Sequence, residues 1–541
     1  MGVTVPDSAP VPDDIRNLAD TVRRAAAADP TARALIAGTR VLTWGELDAR
    51  VDAVAAGLAA LGLPGSDGAP ARVAIVSPNV PEFAVAYFGA LRAGLVAVPV
   101  NPGYTPRELA HVLGDSGASV VIGTGAALSA TATVRAQLPA LRHAYALESG
   151  ADAAPLADLA APRTGDLPGR GGEDLAVLLY TSGTAGAPKG AMLSHRALIA
   201  NHRQLGQVTP TIVGGGDVVL LALPLFHAYG LNAGLGAVAW HGATGVLAEG
   251  LGPAEVLALL ARHQVTVVAA VPQTYHAWSM RPELAEATAS VRVMVSGAAP
   301  LDPITQERIA TRTGRQVRQG YGLTETAPVV TTDLTSPVAK AGSIGRPIPG
   351  VRVRLVGGDG MEIVRLASDG IVGPAPFAED GDDAFPGTAG SDPGEVVVAG
   401  DNLFSGYWPD AHGGPDEQGW WRTGDIAYAD GDGDLFLVDR LGEMIIVNGF
   451  NVYPHEVENV IVGCPGVTEA AVVGAPDPET GEAVRAYVVL APGSRASVAD
   501  IVAHCELNLA RYKRPRAIEI VGELPHSATG KVRKSMLRSA S

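Results

Sequence analysis

The sequence predicts an α/β protein, because short apolar runs alternate with helical segments up to about residue 350. The runs are rich in β-branched residues, and they lie at Arg72–Ser77, Val96–Val100, Ser119–Gly123, Val218–Leu223, Val265–Val271 and Val291–Val295. Between them, apolar residues recur with the spacing of amphipathic helices. This alternation indicates parallel strands joined by helices, in a large amino-terminal domain built of βαβ subdomains.

Two of the helices have clear start signals. Thr43 and Glu46 form a capping-box pattern ahead of a helix that we expect over about 47–63. A second helix is expected to start at Thr105, because Pro106 suits the first helical position and Glu108 follows three residues after the cap.

The pattern of the sequence changes at Val351 from alternating strands and helices to shorter strands and tight turns. This change predicts a small β-rich subdomain. Residues 367–395 are rich in Gly, Pro and Asp, and we expect them to form an exposed, mobile insertion. Beyond Arg440 the pattern predicts a compact α+β domain, with helices near Pro454 and Val498. Its strands are expected at Val467–Val473, Val484–Leu490 and Ala517–Val521. We therefore divide the chain into domains at 1–439 and 440–541.

Composition excludes several classes of function. The 541 residues carry a formal net charge of −16, which argues against a nucleic-acid partner. Only Cys464 and Cys505 are present, so we expect no disulfide framework and a reducing compartment. No secretory signal and no apolar run of membrane-spanning length is visible, which predicts a cytoplasmic protein without an integral membrane segment.

A loop at 180–190 concentrates hydroxyls, glycines and one lysine. Glycines let backbone N–H groups approach a phosphate, and Lys189 adds a mobile positive charge. The loop lacks the Walker A spacing, because Pro188 precedes Lys189 and Gly190 follows it. A flexible linker is the alternative, but the apolar run at 175–179 predicts a buried strand that ends at the loop. The candidate phosphate-binding residues are Thr181, Ser182, Gly183, Thr184, Gly186 and Lys189.

Further candidate residues lie in three later turns. In the loop Gly320–Thr326, Tyr321 offers a flat face for a purine, Thr324 a donor to phosphate and Glu325 an oxygen ligand for Mg²⁺. A simple turn ending in a helix cap is the alternative. Asp425 suits the paired hydroxyls of a ribose, although a solvated turn would look the same. Lys531 ends a second small loop near the carboxyl terminus, which could also be a basic tail.

Lysine is rare in this chain. The five lysines are Lys189, Lys340, Lys513, Lys531 and Lys534. Because arginine is otherwise preferred, each position that keeps a lysine is a candidate for a specific role.

Taken in order, these motifs resemble the acyl-adenylate-forming superfamily, most closely its fatty acyl-CoA synthetases and 4-coumarate-CoA ligase-like enzymes. The similarity covers nearly the whole chain, and it also includes Leu223–His227, Ser296–Leu301 and Asn448–Glu458. It implies a two-step reaction. A carboxylate first attacks the α-phosphate of ATP to give acyl-AMP and pyrophosphate, and the thiol of CoA then displaces AMP.

The resemblance also implies roles for individual residues. Lys531, Glu325, Thr324 and His227 would be catalytic, with Glu325 binding Mg²⁺. ATP and AMP would contact the 181–189 loop, and also Gly320, Tyr321, Gly322, Asp425 and Arg440. The carboxyl-terminal domain would be mobile, rotating about Gly442, where the family usually has Asp or Lys. Rotation would withdraw Lys531 and present Gly449 and Phe450 to CoA.

The acid and the acceptor are less well specified by the sequence. The resemblance places His227, Tyr229, Gly297, Ala298, Ala299 and Gly320 around the acyl group. Small residues near His227, namely Ala228, Gly230, Gly234 and Gly236, together with Gly297, Ala298 and Ala299, suggest room for a medium- or long-chain fatty acid, with an aryl acid as the alternative. Gly320 stands where malonate-specific relatives carry Arg, which disfavours a dicarboxylic acid.

Two rival functions stay open. One is a fatty acyl-AMP ligase that loads a carrier protein, because that group carries an inserted segment. The other is a nucleotide-binding protein without catalysis, which the presence of Lys531, Glu325 and Asp425 disfavours.

Overall fold

A computed structural model describes residues 15–65, 69–148, 153–163, 165–181, 188–373, 390–447, 450–477, 480–526 and 531–538. The chain divides into two compact units. The first comprises Met1–Val351 and Ala399–Trp421, and the second comprises Arg352–Val398 and Arg422–Ser541. These units are defined by how residues pack together and do not test the predicted domain boundary between residues 439 and 440, which stays a prediction.

The strands follow one another along the chain. In order they are β1 (Arg33–Ala37), β2 (Arg40–Thr43), β3 (Arg72–Val76), β4 (Val96–Val100), β5 (Val120–Gly123), β6 (His143–Ala146), β7 (Ala154–Pro155), β8 (Leu175–Thr181), β9 (Lys189–Ser194), β10 (Val218–Leu221), β11 (Thr244–Leu247), β12 (Val267–Ala270), β13 (Val293–Ser296), β14 (Val317–Gly322), β15 (Val329–Thr332), β16 (Arg346–Pro347), β17 (Arg352–Val356), β18 (Glu362–Ala367), β19 (Gly370–Ile371), β20 (Gly394–Ala399), β21 (Trp420–Ala429), β22 (Leu435–Arg440), β23 (Ile445–Val447), β24 (Phe450–Val452), β25 (Val467–Asp477), β26 (Gly481–Leu490) and β27 (Ala517–Val521).

The α-helices lie between and after these strands. They are α1 (Asp20–Ala28), α2 (Trp44–Ala60), α3 (Pro81–Arg92), α4 (Pro106–Asp115), α5 (Gly125–Thr133), α6 (Leu156–Leu159), α7 (His195–Leu205), α8 (Ala237–His241), α9 (Pro253–His263), α10 (Pro272–Ser279), α11 (Leu284–Ala287), α12 (Pro303–Thr313), α13 (Pro454–Val462), α14 (Val498–Asn508) and α15 (Lys534–Arg538). A π-helix at Tyr229–Gly236 runs directly into α8.

The first unit contains two sheets that are mainly parallel. One has the strand order β7-β6-β5-β3-β4-β8-β9, and the other has the order β16-β15-β14-β13-β12-β10-β11-β1-β2. The first sheet ends in the antiparallel pair of β8 and β9. The second sheet ends in antiparallel pairs on both sides, β15 with β16 and β1 with β2, and β14 is also antiparallel to β15. Strands β3 and β4 are buried along their whole length, as expected for parallel strands covered on both faces. The prediction of parallel βαβ subdomains is confirmed.

The predicted helix caps form in this unit. The Thr43 side chain accepts from the N–H of Glu46, and the Glu46 carboxylate accepts in return from the N–H of Thr43. Thr105 and Glu108 make the same reciprocal pair at the start of α4. Helix α2 begins three residues earlier than predicted, because Trp44 already lies within the helix and is 2% exposed.

The second unit holds the β-rich part and the α+β part that the sequence predicts. One sheet has the order β19-β18-β17-β20-β21-β22, and the other has the order β24-β23-β26-β25 with β27 beside β26. Helices α13 and α14 begin at Pro454 and Val498 as predicted. Residues 374–389 of the predicted insertion lie outside the described residues, and its two ends form β18–β19 and the start of β20.

No helix among the described residues is long and apolar enough to cross a membrane.

Candidate active site

The loop predicted to bind phosphate joins β8 to β9 as an antiparallel hairpin. Its stem pairs Thr181 with Lys189, and Lys189 is exposed at the first position of β9. Ser182, Gly183, Thr184 and Gly186 lie outside the described residues, so their contacts with phosphate stay predictions. The structure therefore fixes where the loop starts and ends, at the edge of the sheet.

Helix α4 supports this hairpin from one side. The Tyr180 hydroxyl donates to Asp115 Oδ2 at 2.5 Å, and a ring nitrogen of His111 lies 2.9 Å from the carbonyl oxygen of Pro188. Burial, followed by the hydrogen bond to the Asp115 carboxylate, raises the pKa of Tyr180 well above its usual value. Sequence reasoning missed both supports, because helix α4 lies about seventy residues before the hairpin.

The loop with the predicted metal ligand follows β14. Gly320, Tyr321 and Gly322 are the last three residues of that strand, and Thr324–Thr326 form a single 3₁₀ turn. A Cβ on Gly322 would lie 1.8 Å from the carbonyl oxygen of Pro328, so the chain needs glycine there. Glu325 is only 7% exposed.

The segment 404–408 contacts both of these loops, and Tyr407 is the functional candidate that sequence reasoning missed. The Tyr407 hydroxyl donates to Glu325 Oε1 at 2.7 Å. The ammonium nitrogen of Lys189 lies 5.3 Å from the centroid of the Tyr407 ring. The signal in the sequence is the aromatic cluster Phe404-Ser-Gly-Tyr-Trp408, which lies outside the predicted motifs.

These residues suit a magnesium-nucleotide complex. Mg²⁺ prefers one or two carboxylates together with oxygens of the substrate's phosphates. Glu325 supplies one buried carboxylate, and its hydrogen-bond partner is Tyr407. Lys189 supplies a compact point charge, and its ammonium lies near the ring of the same Tyr407. The donor set therefore fits the magnesium-nucleotide complex that the sequence predicted, and the role of Glu325 as the protein ligand stays a prediction.

Most of the residues predicted to surround the acyl group lie at the start of the π-helix and just after β13, whereas Gly320 lies on β14. His227 is half-buried, with its ring 4.9 Å from that of Phe226, and the Tyr229 hydroxyl lies 3.4 Å from the carbonyl oxygen of Val295. Burial raises the pKa of Tyr229 above its ordinary value of 10.0. Ala298 adopts a φ of 72°, which is uncommon outside glycine.

The glycines of this region are packed against protein atoms. A Cβ on Gly297 would lie 3.1 Å from the Tyr229 ring, and one on Gly320 would lie 3.0 Å from the carbonyl oxygen of Thr331. On the π-helix, a Cβ on Gly230 would lie 2.3 Å from the carbonyl oxygen of Pro224. The space beside Gly297 is thus filled by Tyr229, which differs from the room for an acyl chain that we expected.

In the second unit, Asp425 and Arg440 are brought together. They face each other across the β21–β22 pair, and Arg440 Nε lies 3.0 Å from Asp425 Oδ1. The Asp425 side chain is 8% exposed and that of Arg440 is 39% exposed. Arg440 thus restricts the orientation of the Asp425 carboxylate, and its contact with a ribose stays a prediction.

The predicted hinge lies just after this pair. Gly442 is exposed, and a Cβ placed on it would meet no atom within 4 Å. Three residues earlier, Asp439 accepts hydrogen bonds from the N–H groups of Arg440 and His455, at 2.7 and 2.8 Å. Burial raises the pKa of Asp439 from its ordinary value of 3.8.

The segment predicted to meet CoA is described in part. Gly449 lies outside the described residues, whereas Phe450 is 57% exposed, with its ring 4.9 Å from that of Tyr512. Lys513, beside Tyr512, pairs with Glu456 at 2.7 Å. An exposed aromatic ring backed by a second ring is a suitable surface for an apolar arm.

Lys531 is exposed and lies at the end of a small hairpin in the second unit. Residues 527–530 lie outside the described residues. The hairpin is closed by a bridge between His526 and Val532 and by a 2.7 Å hydrogen bond from Arg533 N–H to the Pro525 carbonyl.

Helix α15, which follows Lys531, is anchored by Lys534. The Lys534 ammonium lies 2.8 Å from Glu458 and 3.2 Å from Glu443, and its side chain is 14% exposed. Burial opposes the charge on Lys534, but Glu458, Glu443 and Asp439 outweigh it and raise the pKa of that lysine. The segment carrying Lys531 is therefore tied by charge to residues on either side of Gly442 in the sequence.

The chain matches two family models. The model of the AMP-binding enzyme matches residues 22–408, and the model of the AMP-binding enzyme C-terminal domain matches residues 456–531.

Characterised relatives are similar over almost their whole length. A feruloyl-CoA synthase from an Amycolatopsis species is 37% identical, with 95% of this chain and 97% of that protein covered. A long-chain-fatty-acid–CoA ligase from Escherichia coli O157:H7 is 34% identical, with 97% and 95% covered.

A solved structure has the same fold. The ATP-bound MatB from Rhodopseudomonas palustris superposes with a TM-score of 0.85 at 31% identity, covering 97% of this chain and 99% of that one. The family models match most of the chain, and the relatives are more than 30% identical over almost their whole length. These findings assign the chain to a family. The chain belongs to the family of AMP-binding enzymes, whose members form adenylates.

Proposed function

We propose that this enzyme is an ATP-dependent acyl-CoA ligase that activates a medium- or long-chain fatty acid. The carboxylate of the acid attacks the α-phosphate of ATP, the bond to the β-phosphate breaks, and acyl-AMP and pyrophosphate form. The thiol of CoA then attacks the acyl carbon and releases AMP. Cofactors and co-substrates are accordingly ATP, Mg²⁺ and CoA.

The observation that carries the proposal is the approach of Lys189 and Glu325 to one residue, Tyr407. A carboxylate and a triphosphate repel each other, so the first step needs positive charge where negative charge develops. Lys189 supplies such a charge at the β- and γ-phosphates. Mg²⁺, held by Glu325, supplies further charge neutralisation when it is bound.

The residues of the second unit complete the assignment. Asp425, oriented by Arg440, accepts hydrogen bonds from the ribose hydroxyls. Lys531 stabilises charge at the reacting carboxylate and α-phosphate during the first step only. Gly449 and Phe450 contact the pantetheine arm of CoA in the second step, after the chain turns about Gly442.

The choice of a fatty acid is supported by the chemistry of the acyl residues. Apart from His227, the predicted acyl residues carry no ionisable group other than the phenol of Tyr229, whose raised pKa keeps it neutral. An uncharged lining suits an apolar chain and disfavours a second carboxylate. The similarity to long-chain-fatty-acid–CoA ligases agrees with this choice.

An aryl acid is the second candidate, and one contact favours it. The ring of Tyr229 covers Gly297, so a flat face is available where a long chain would need open space. The similarity to a feruloyl-CoA synthase points the same way.

Pyrophosphate release with a graded panel of acids tests these assignments. We expect release with octanoate, laurate and palmitate, and conversion to the thioester when CoA is added. Preference for ferulate or benzoate would replace the fatty acid by an aryl acid. Acyl-AMP that accumulates despite CoA would indicate a carrier-protein acceptor, and no release with any acid would overturn the ligase assignment.

A cytoplasmic location is part of the proposal. ATP and CoA are available there, and the buried free thiols of Cys464 and Cys505 are compatible with a reducing compartment. Fractionation of cells that express the chain at its natural level is the direct test, and recovery outside the cytoplasm would contradict it.

A further inference from the structure

We propose that Tyr407 is a positioning residue for adenylation, and that its hydroxyl orients Glu325 toward Mg²⁺ while its ring holds Lys189. This inference rests on the proposed function, because it assigns Tyr407 to the same adenylation site. It adds a residue to which neither the sequence motifs nor the comparisons give a role.

The hydroxyl contact bears on the metal ligand. A 2.7 Å hydrogen bond from a neutral donor to a carboxylate is charge-assisted, and Glu325 is largely removed from water. Holding Oε1 limits rotation of the carboxylate and so fixes where its second oxygen points. Groups that orient metal ligands in this way commonly affect metal affinity as well as rate.

The ring contact concerns the lysine. An ammonium group within about 6 Å of an aromatic centroid is attracted by the negative face of the ring. Lys189 is otherwise an exposed side chain at the mouth of a loop, with many accessible rotamers. The Tyr407 ring favours those rotamers that keep the ammonium over the ring, whose hydroxyl bonds to Glu325.

Backbone contacts hold Tyr407 between the two loops independently of its side chain. Trp408 N–H donates to the Gly190 carbonyl at 2.8 Å, and Met192 N–H donates to the Gly406 carbonyl at 3.0 Å. Phe404 N–H donates to the Glu325 carbonyl at 2.9 Å. Because the main chain makes these bonds, substitution of the side chain leaves the frame in place.

The two parts of the side chain can therefore be tested separately. Tyr407→Phe keeps the ring and removes the hydroxyl, whereas Tyr407→Leu removes both. Tyr145→Phe, on β6 of the same unit, is the matched control for loss of a phenol hydroxyl.

The first measurement is calorimetric binding of a non-hydrolysable ATP analogue to the full chain, with Mg²⁺ varied and with EDTA. We expect Tyr407→Phe to raise the apparent dissociation constant for Mg²⁺ by roughly 10-fold or more, and to leave binding in EDTA unchanged. Tyr407→Leu should also weaken binding in EDTA, because the lysine loses its support. Unchanged Mg²⁺ dependence in Tyr407→Phe would overturn the proposal.

A double-mutant cycle with Glu325→Gln guards against a general loss of structure. If Tyr407 acts through Glu325, Tyr407→Phe should add little to the effect of Glu325→Gln on Mg²⁺-dependent binding. Independent, additive losses would contradict the assignment. Neither binding experiment uses an acid, so a failed acid panel and a failed role for Tyr407 are distinguishable.

Thioester formation from supplied acyl-AMP is the second readout. It should be unchanged in Tyr407→Phe, because that step involves neither pyrophosphate nor its metal ion. Equal losses in adenylation and in thioester formation would show that the substitution disturbs the whole enzyme, and would also overturn the proposal.

Discussion

The segments carrying Lys189 and Lys531 are built in contrasting ways. Lys189 begins a strand of a sheet in the first unit, and the neighbouring backbone is bonded to residues 406 and 408. Lys531 lies in the second unit, in a segment closed by the isolated bridge between His526 and Val532 and by one hydrogen bond from Arg533 N–H to the Pro525 carbonyl. Its support is the ion pairing of Lys534, three residues further on.

This contrast matches the two roles that we propose for these lysines. A charge that grips pyrophosphate is needed in a fixed place, and many backbone bonds of a sheet provide that. A charge that is needed in only one of two steps is better carried on a small element that can be withdrawn as a whole. The ion pairs of Lys534 with Glu443 and Glu458 would preserve the structure of the Lys531 segment during the domain rotation that we propose.

Removal of the positive charge of Lys531 should have the largest effect on activity. We expect Lys531→Ala to reduce acyl-AMP formation by roughly 10² to 10³-fold, the usual effect of deleting one group that stabilises developing charge. Thioester formation from supplied acyl-AMP should stay close to that of the unmodified enzyme. Single-turnover assays of each step check this, and equal losses in both would show that Lys531 is not specific to the first.

Loss of the Lys534 ion pairs, which anchor the segment carrying Lys531, should have the second largest effect. Lys534→Met removes the ammonium that lies 2.8 Å from the buried Glu458, and we expect the second unit to lose about 3 kcal/mol in its free energy of unfolding. Adenylation should fall with it, while Lys534→Arg should retain most of both. Lys513→Met is the matched control, because it breaks an ion pair of the same unit that is not next to Lys531. Similar adenylation in the two methionine variants would refute the anchoring role.

Acid should destabilise the first unit before the second. Burial lowers the pKa of His195 to about 4, that of His202 to about 3 and that of His241 to about 4, from an ordinary 6.5. The folded state then binds fewer protons than the unfolded state below pH 6.5, so stability is full above that pH and falls as pH decreases toward 4.

Protonation of each of these histidines in the unfolded state should lower the free energy of unfolding by about 0.7 kcal/mol between pH 7 and pH 6. In the second unit, burial acts against the hydrogen bonds from His455 and Lys534, yet the pKa of Glu458 is lowered overall, so its contribution is lost only as pH falls below about 4.5. Hydrogen exchange of the two units between pH 7 and pH 5 measures the difference. Earlier opening of the second unit would contradict this prediction.

Removal of the hydrogen bond between Tyr180 and Asp115, which supports the loop at 180–190, should have the smallest effect. Tyr180→Phe removes one hydrogen bond, to an Asp115 that is itself exposed, and we expect a cost of about 1 kcal/mol or less in unfolding free energy. The Michaelis constant for ATP should rise slightly, because backbone bonds still hold the stem. Urea titration and ATP kinetics check both, and a loss as large as that of Lys534→Met would mean that the loop is not redundantly supported.

Local patterns were sufficient to predict much of the fold. Helix caps such as Thr43 with Glu46, and β-branched strands such as Val96–Val100, are encoded by neighbouring residues, so periodicity and start signals located them. The boundaries shifted by a few residues where a buried side chain such as Trp44 extended an element.

Contacts between distant segments were not predicted. The hydrogen bond between Tyr407 and Glu325 joins residues 82 positions apart, and no local pattern specifies such a pair. Glycine posed a different problem, because the absence of a side chain can mean open space or close packing. At Gly297 the packed Tyr229 ring decides the matter, and only coordinates could reveal it.

The path of the chain between the two units has a practical consequence for dissecting the enzyme. The chain enters the second unit after Val351, returns at Ala399 and leaves again after Trp421. A truncation after Trp421 would keep β20, which is buried along its length, but remove most of β21, its neighbour in the sheet. Such a fragment would expose an unpaired strand edge prone to aggregation. The two units are thus not separable by a single cut, and co-expressed fragments are the suitable means of studying either one.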